Sequence, residues 1–318
     1  MEAHEVLSCV ELVIYILLFP LVSFLAVYYL CLTRREKQTA WLFLNAFTVA
    51  KIAGPAIAIY LDSSNTNSTG GSVKLQIASQ ILNQIALGPL LSATLSFVNT
   101  SVSRRLPLSP RNQDIAVESN QTQRNYYSYL PLQSRNQNGE GEGKFIPIVL
   151  RLIHPIIVCG LVLGIYGGVK RSPDSSTGET NADDYKSGVT FSKVSSVLFL
   201  VAIATLYGTV LLKQCHQTRS KRAHGGFETG SFVPESMMLV LILPLLFVRV
   251  IYSLLYSFNL NMVETLSTQS VKTVPSKYDP ANGSWVIYLL LGLVPQVTVV
   301  TSYTIYGTLS WIKDRSGA

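Results

Sequence analysis

Residues 9–32 read CVELVIYILLFPLVSFLAVYYLCL, an apolar run interrupted by a single charge, Glu11. A helix needs about 20 consecutive apolar residues to cross the hydrocarbon core of a bilayer, and this run is long enough. The segment before it, Met1 to Ser8, is acidic and lacks the positive region of a signal peptide. The run is also too long for a signal-peptide core, so it is expected to stay in the protein as a first membrane span. Six more runs of this kind follow. The spans are expected near 9–32, 39–61, 73–99, 145–169, 189–213, 235–258 and 284–312. The chain has 318 residues, of which 48% are hydrophobic and 14% charged, against about 25% charged in soluble domains. The expected fold is therefore an all-α membrane protein, a single seven-transmembrane helix bundle spanning 1–318.

The charge between the spans alternates. Arg34, Arg35 and Lys37 follow the first span, and Arg104, Arg105, Arg111, Arg124, Arg135 and Lys144 follow the third. Lys213, Arg219, Lys221 and Arg222 follow the fifth, and Lys313 and Arg315 follow the seventh. These segments hold 15 of the 25 Lys and Arg residues. The positive-inside rule then places the N-terminus outside and the C-terminus in the cytoplasm. The net charge of +7 reads as topology and contact with anionic membrane lipids, with no nucleic acid among the expected partners, because no aromatic-interleaved basic groove is present. The connection 100–144 is rich in Asn, Gln, Ser, Gly and Arg and reads as a disordered cytoplasmic loop. Together with 214–234 it is the expected contact region for cytoplasmic protein partners. Of the acceptor sequons, Asn67 and Asn282 fall outside in this topology and are the glycosylation candidates.

Three charges fall at depths where lipid makes them costly: Glu11, Lys51 and Arg249. They are expected to face the interior, with Glu11 pairing with Lys51 or Arg249. One carboxylate for two bases leaves a positive interior suited to an anionic ligand or headgroup, and a plain structural ion pair is the competing reading. The third span carries Gln76, Gln80, Asn83 and Gln84. Four-residue steps place Gln76, Gln80 and Gln84 on one face, so these amides line a helix contact or a wet cavity. Gln296, Thr298, Thr301, Ser302, Thr304 and Tyr306 of the seventh span offer a facing surface. Gly160, Gly164 and Gly168 form a repeated small-xxx-small pattern for close helix packing, within the bundle rather than between copies.

Several classes lack their motifs. No H-E-x-x-H, G-x-S-x-G or phosphate-binding glycine loop occurs, and Cys9, Cys31, Cys159 and Cys215 have no zinc-type spacing. His154 stands alone within the spans, so no catalytic residue, metal or cofactor is assigned. The last span has no lysine for a retinal Schiff base. The third span ends VNTSVSRR, without an acid-Arg-Tyr triplet, and the seventh lacks N-P-x-x-Y.

SCVELVIYI (8–16), QILNQIALGPLLSATLSF (80–97), RLIHPIIVCGLVLGIYGG (151–168) and LPLLFVRVIYSLLYSF (243–258) together resemble a family of fungal integral membrane proteins catalogued as a domain of unknown function (number 7702). The resemblance implies a seven-helix bundle and no established activity. It implies that Glu11, Asn83, Gly88, Pro89, Arg249 and Tyr252 occupy family-typical positions. It also implies two departures: Lys51 stands where an arginine is usual, and VPQVTVV (294–300) stands where members often carry acidic residues. The expected function is non-enzymatic, a receptor-like protein or sensor for a small or lipidic ligand, in a membrane whose identity is open. A lipid or small-molecule transporter is the alternative, and a membrane enzyme ranks third.

Overall fold

A computed structural model describes residues 3–31, 38–63, 78–79, 81–83, 85–103, 142–171, 182–223, 235–259, 261–264, 271–274, 277–278 and 283–316. Six helices come first: α1 (Ala3–Cys31), α2 (Gln38–Ser63), α3 (Leu87–Ser103), α4 (Glu142–Lys170), α5 (Ala182–Ala223) and α6 (Glu235–Phe258). The seventh crossing is composite: a helical turn (Trp285–Ile287), a π-helical turn (Tyr288–Leu293) and α7 (Val294–Arg315). Seven segments are long and apolar enough to span a membrane, from Glu5–Cys31 to Trp285–Lys313. The protein is a multi-pass membrane protein.

Its surface is inverted relative to a soluble domain. Leu17, Leu212 and Leu241 are 71%, 69% and 68% exposed on the outer faces of their helices. Water would penalise that much exposed apolar area, whereas lipid accepts it. Several exposed or half-buried hydroxyls within the spans are satisfied locally. Thr205, Thr298, Ser302 and Thr308 each donate to the carbonyl four residues earlier, so no lone donor faces hydrocarbon there.

The fifth span departs clearly from the limits read off the sequence. The fifth span begins at Asp183 rather than near 189. Asp183 and Asp184 sit in the first turn of α5, where the helix dipole favours acids, and Lys170 Nζ at the end of α4 donates to Asp184 at 2.7 Å. At its other end α5 continues to Ala223, for 42 residues in all. That is roughly 63 Å of helix against about 30 Å of hydrocarbon, so the first part of the 214–234 connection is helical. The third span is described from Ile81, and 73–77 lie outside the described residues, as do most of 100–144 and 224–234. The all-α expectation also gains a small exception. Two four-residue strands, β1 (Asn261–Glu264) and β2 (Val271–Val274), pair antiparallel with Val263 opposite Lys272.

Neighbouring helices pack in chain order, and α7 closes the bundle against α6 and α1. α3 is the inner helix, touching α2, α4, α5 and α6. Rings join the end of α1, the start of α2, α3 and α7: Tyr29 stacks on Trp41 with centroids 5.6 Å apart, and Phe97 stacks on Tyr303 at 4.6 Å. Tyr303 also donates to Thr94, and Gly307 leaves room for Trp41, which a Cβ there would strike.

α4 and α5 approach each other through glycines. A Cβ at Gly160 would stand 3.1 Å from the Phe199 ring, and one at Gly164 3.0 Å from Ser195 Oγ, which itself donates to the Gly160 carbonyl. Gly168 faces Ile81 of the third span instead. The tightest contact lies at Gly167 and Gly188, where a Cβ on either glycine would sit 2.7 Å from the other's carbonyl oxygen. A ring can rotate away, but backbone cannot. Gly167→Ala should therefore cost about 1–3 kcal/mol and lower the thermal midpoint of the purified protein more than Gly160→Ala. Equal midpoints for the two variants would contradict this ranking.

Candidate functional site

The polar centre is assembled from four spans. α1 contributes Glu11 and α2 contributes Lys51, both on inward faces and only 2% and 0% exposed. Lys51 Nζ lies 2.9 Å from Glu11 Oε1. The same ammonium donates to Asn83 Oδ1 of the third span at 2.8 Å. From the seventh crossing, the Tyr288 hydroxyl donates to the other carboxylate oxygen, Glu11 Oε2, at 2.6 Å. Both carboxylate oxygens and two of the three ammonium protons thus have partners, the condition under which a buried ion pair holds in a medium of low dielectric.

Local breaks in the helices aim these groups. In the third span Pro89 has no N–H to give the Ile85 carbonyl, so one rung of the helical ladder is missing, while Ala86 N–H still meets the Leu82 carbonyl at 3.0 Å and Leu90 N–H the Ala86 carbonyl at 3.4 Å. Asn83 lies just before the missing rung, its amide over Gly54 at 3.8 Å from the Cβ position. In the seventh crossing Pro295 has no N–H, and its ring presses on the carbonyl four residues back. The π-helical turn Tyr288–Leu293 widens the helix at that point. Tyr288 begins this turn, so the irregularity and the carboxylate partner coincide.

Arg249 of α6 is 5% exposed and lies over the Tyr252 ring, 5.2 Å from its centroid. The Tyr252 hydroxyl donates to the Tyr278 carbonyl at 2.8 Å, holding that ring in place. The Arg249 Nε has no hydrogen-bond partner among the described residues. Of the two pairings open from the sequence, Glu11 takes Lys51, and Arg249 remains as a second buried cation, stacked on Tyr252. Among the described residues the enclosed set carries two cations and one carboxylate.

Gln80 and Gln84 lie outside the described residues, as do Asn67 and Asn282. The face offered by the seventh span differs from the one expected. Thr298 is exposed and bonds within its own helix, and α7 reaches α3 through Tyr303. Only Gln296 of that polar set is fully buried and without side-chain partners. His154 is exposed on α4, its ring 6.4 Å from Phe43. Among the described residues no three His, Cys, Asp or Glu side chains gather in a metal-binding group.

Tyr288 was missed by the sequence reading. A signal existed: Tyr288 enters its crossing from the same side as Glu11 enters α1, close to the same depth. Attention to charge alone passes over a tyrosine.

Removing one partner should cost more than removing both. Glu11→Gln leaves the Lys51 ammonium buried without a countercharge, a loss of about 3–5 kcal/mol. Glu11→Gln combined with Lys51→Met should recover a large part of that loss in detergent thermal unfolding. A double variant no more stable than Glu11→Gln alone would refute the pairing. Tyr288→Phe, which deletes one hydrogen bond to a charged acceptor, should cost about 1.5–3 kcal/mol.

Comparison with known proteins gives a family but brings no activity. No curated protein and no solved structure matches the chain. The family described as Domain of unknown function (DUF7702) matches residues 1–113 and 130–311. That match runs through all seven crossings and every residue of the polar centre, and the chain belongs to this family.

Proposed function

We propose that this protein is a non-enzymatic, receptor-like membrane protein or sensor for a small or lipidic ligand that carries negative charge. One observation carries the reading: among the described residues the enclosed centre holds Lys51 and Arg249 against the carboxylate of Glu11, and Arg249 Nε has no acceptor. An unmatched cation in hydrocarbon is costly, and a bound anion removes the mismatch. In this reading the N-terminus faces outside and the C-terminus the cytoplasm, following the basic connections. Segments 100–144 and 214–234 then face cytoplasmic protein partners, and membrane lipids surround the bundle.

A transporter is the second reading. It is favoured by the π-helical irregularity beside the site, at Tyr288–Leu293, because interrupted helices near a midplane site are a transporter feature. Two measurements separate the readings. Proximity labelling from a C-terminal tag should change when total membrane lipid is added to cells or nanodiscs, and Arg249→Gln should abolish the change. Proteoliposomes should show no protein-dependent movement of fluorescent phosphatidylserine. Arg249-dependent movement of that lipid would replace the receptor reading with the transporter.

A further inference from the structure

One helical turn along from the ion pair lies a second layer of buried polar groups that the pair does not use. On α1, Tyr15 follows Glu11 by four residues and is fully buried. Its ring meets Phe47 edge-on at 5.7 Å, and Phe47 precedes Lys51 by four residues on α2. This layer therefore runs parallel to the first. On α6, Arg249 precedes Tyr252 by three residues. On the seventh crossing, Gln296 follows Gly292 by four residues, and the Cβ position of Gly292 lies 3.6 Å from the Tyr252 ring. Consecutive crossings run in opposite directions, so one turn back from Tyr252 and one turn on from Gly292 reach the same depth. Arg249, Gln296 and Tyr15 share it. The register of the first and seventh crossings agrees: Leu25, ten residues after Tyr15, reaches within 3.1 Å of the Cβ position of Gly307, eleven residues after Gln296.

Each of these three side chains has polar atoms with no partner among the described residues: Tyr15 Oη, Arg249 Nε, and both Nε2 and Oε1 of Gln296. All three are more than nine-tenths buried. Orphan polar atoms at this burial are rare in folded proteins and call for an occupant or a role. Here they come from α1, α6 and the seventh crossing and gather around the one surplus positive charge.

We propose that this layer binds the carboxylate group of a monoanionic ligand, held by the Arg249 guanidinium with Gln296 and Tyr15 as further donors. The assignment rests on the proposed function above and narrows it to a chemical class. Charge selects a monoanion: Glu11 already offsets Lys51, so one negative charge neutralises Arg249, and a phosphate dianion would overshoot. Shape selects a carboxylate, because the planar guanidinium fork matches its two oxygens. A closed layer favours that flat group over a tetrahedral phosphodiester with two ester arms. The carboxylate arises either from a fatty acid within the membrane or from a small acid in solution.

The test is equilibrium binding to the purified full-length protein in phosphatidylcholine nanodiscs, using oleate, acetate and phosphatidylglycerol as probes. Saturable one-to-one binding of oleate without acetate supports a membrane-derived carboxylate, and binding of both supports a soluble one. Arg249→Gln should weaken binding by at least about tenfold, the loss expected for a charged hydrogen bond. Gln296→Glu is the sharper variant. It supplies the missing carboxylate from the protein itself, so binding should be lost while cooperative thermal melting is kept. Unchanged oleate and acetate binding in Gln296→Glu would overturn the site. Binding of phosphatidylglycerol alone, abolished by Arg249→Gln, would overturn the carboxylate and leave the anion-receptor reading standing. Binding of none of the probes would remove both.

Discussion

The Glu11 carboxylate takes the Lys51 ammonium on one oxygen and the Tyr288 hydroxyl on the other, and the rest of the polar interior is arranged around that contact. Because Lys51 also donates to Asn83, a single charge pair ties together the first, second, third and seventh crossings. Helices in a bilayer gain little from burying apolar surface against one another, since lipid tails are as apolar as leucine. Directional contacts and close packing then carry more of the specificity. A pair with nearly all its hydrogen-bonding capacity used sets the rotation of each contributing helix, because any other rotation exposes a charge to lipid.

Packing by small residues performs the complementary task on the other side of the bundle. α4 and α5 approach through Gly160, Gly164, Gly167 and Gly188, close enough that a methyl group would meet a neighbouring atom. Ser195 uses the same closeness to reach the Gly160 carbonyl. Further along these helices, the buried Ser196 and Ser257 hydroxyls link α5 to α6 at 2.8 Å. The charged centre and the glycine seam therefore lie on different helix pairs. α3 stands between them as the inner helix.

The seventh crossing shows how a local defect serves the site. Pro295 disfavours a regular helix through the preceding turn, and the chain answers with the π-helical turn that starts at Tyr288. Widening alters the angle at which later residues leave the axis. It leaves Tyr288 directed at Glu11 and Gln296 buried one layer further on. Tyr288, Gly292 and Leu293 turn one side of the irregular stretch against protein, while Leu290 stays exposed on the other.

The number of crossings, their approximate limits and the identity of the buried charges were legible in the sequence. Each depends on a local property: run length, mean polarity, or a charge inside an apolar run. The extension of α5 to Ala223 was not legible, because a polar helix and a polar loop differ little in hydropathy. Nor was the choice between Lys51 and Arg249 as partner of Glu11, since both satisfy charge and depth. Tyr288, Tyr15 and the Gly167–Gly188 contact were equally hidden, for they are common residue types whose role comes from what stands opposite. Only the tertiary structure decided these points. Helix rotation is set by all seven crossings at once, and rotation determines which of two equally placed cations meets the one carboxylate.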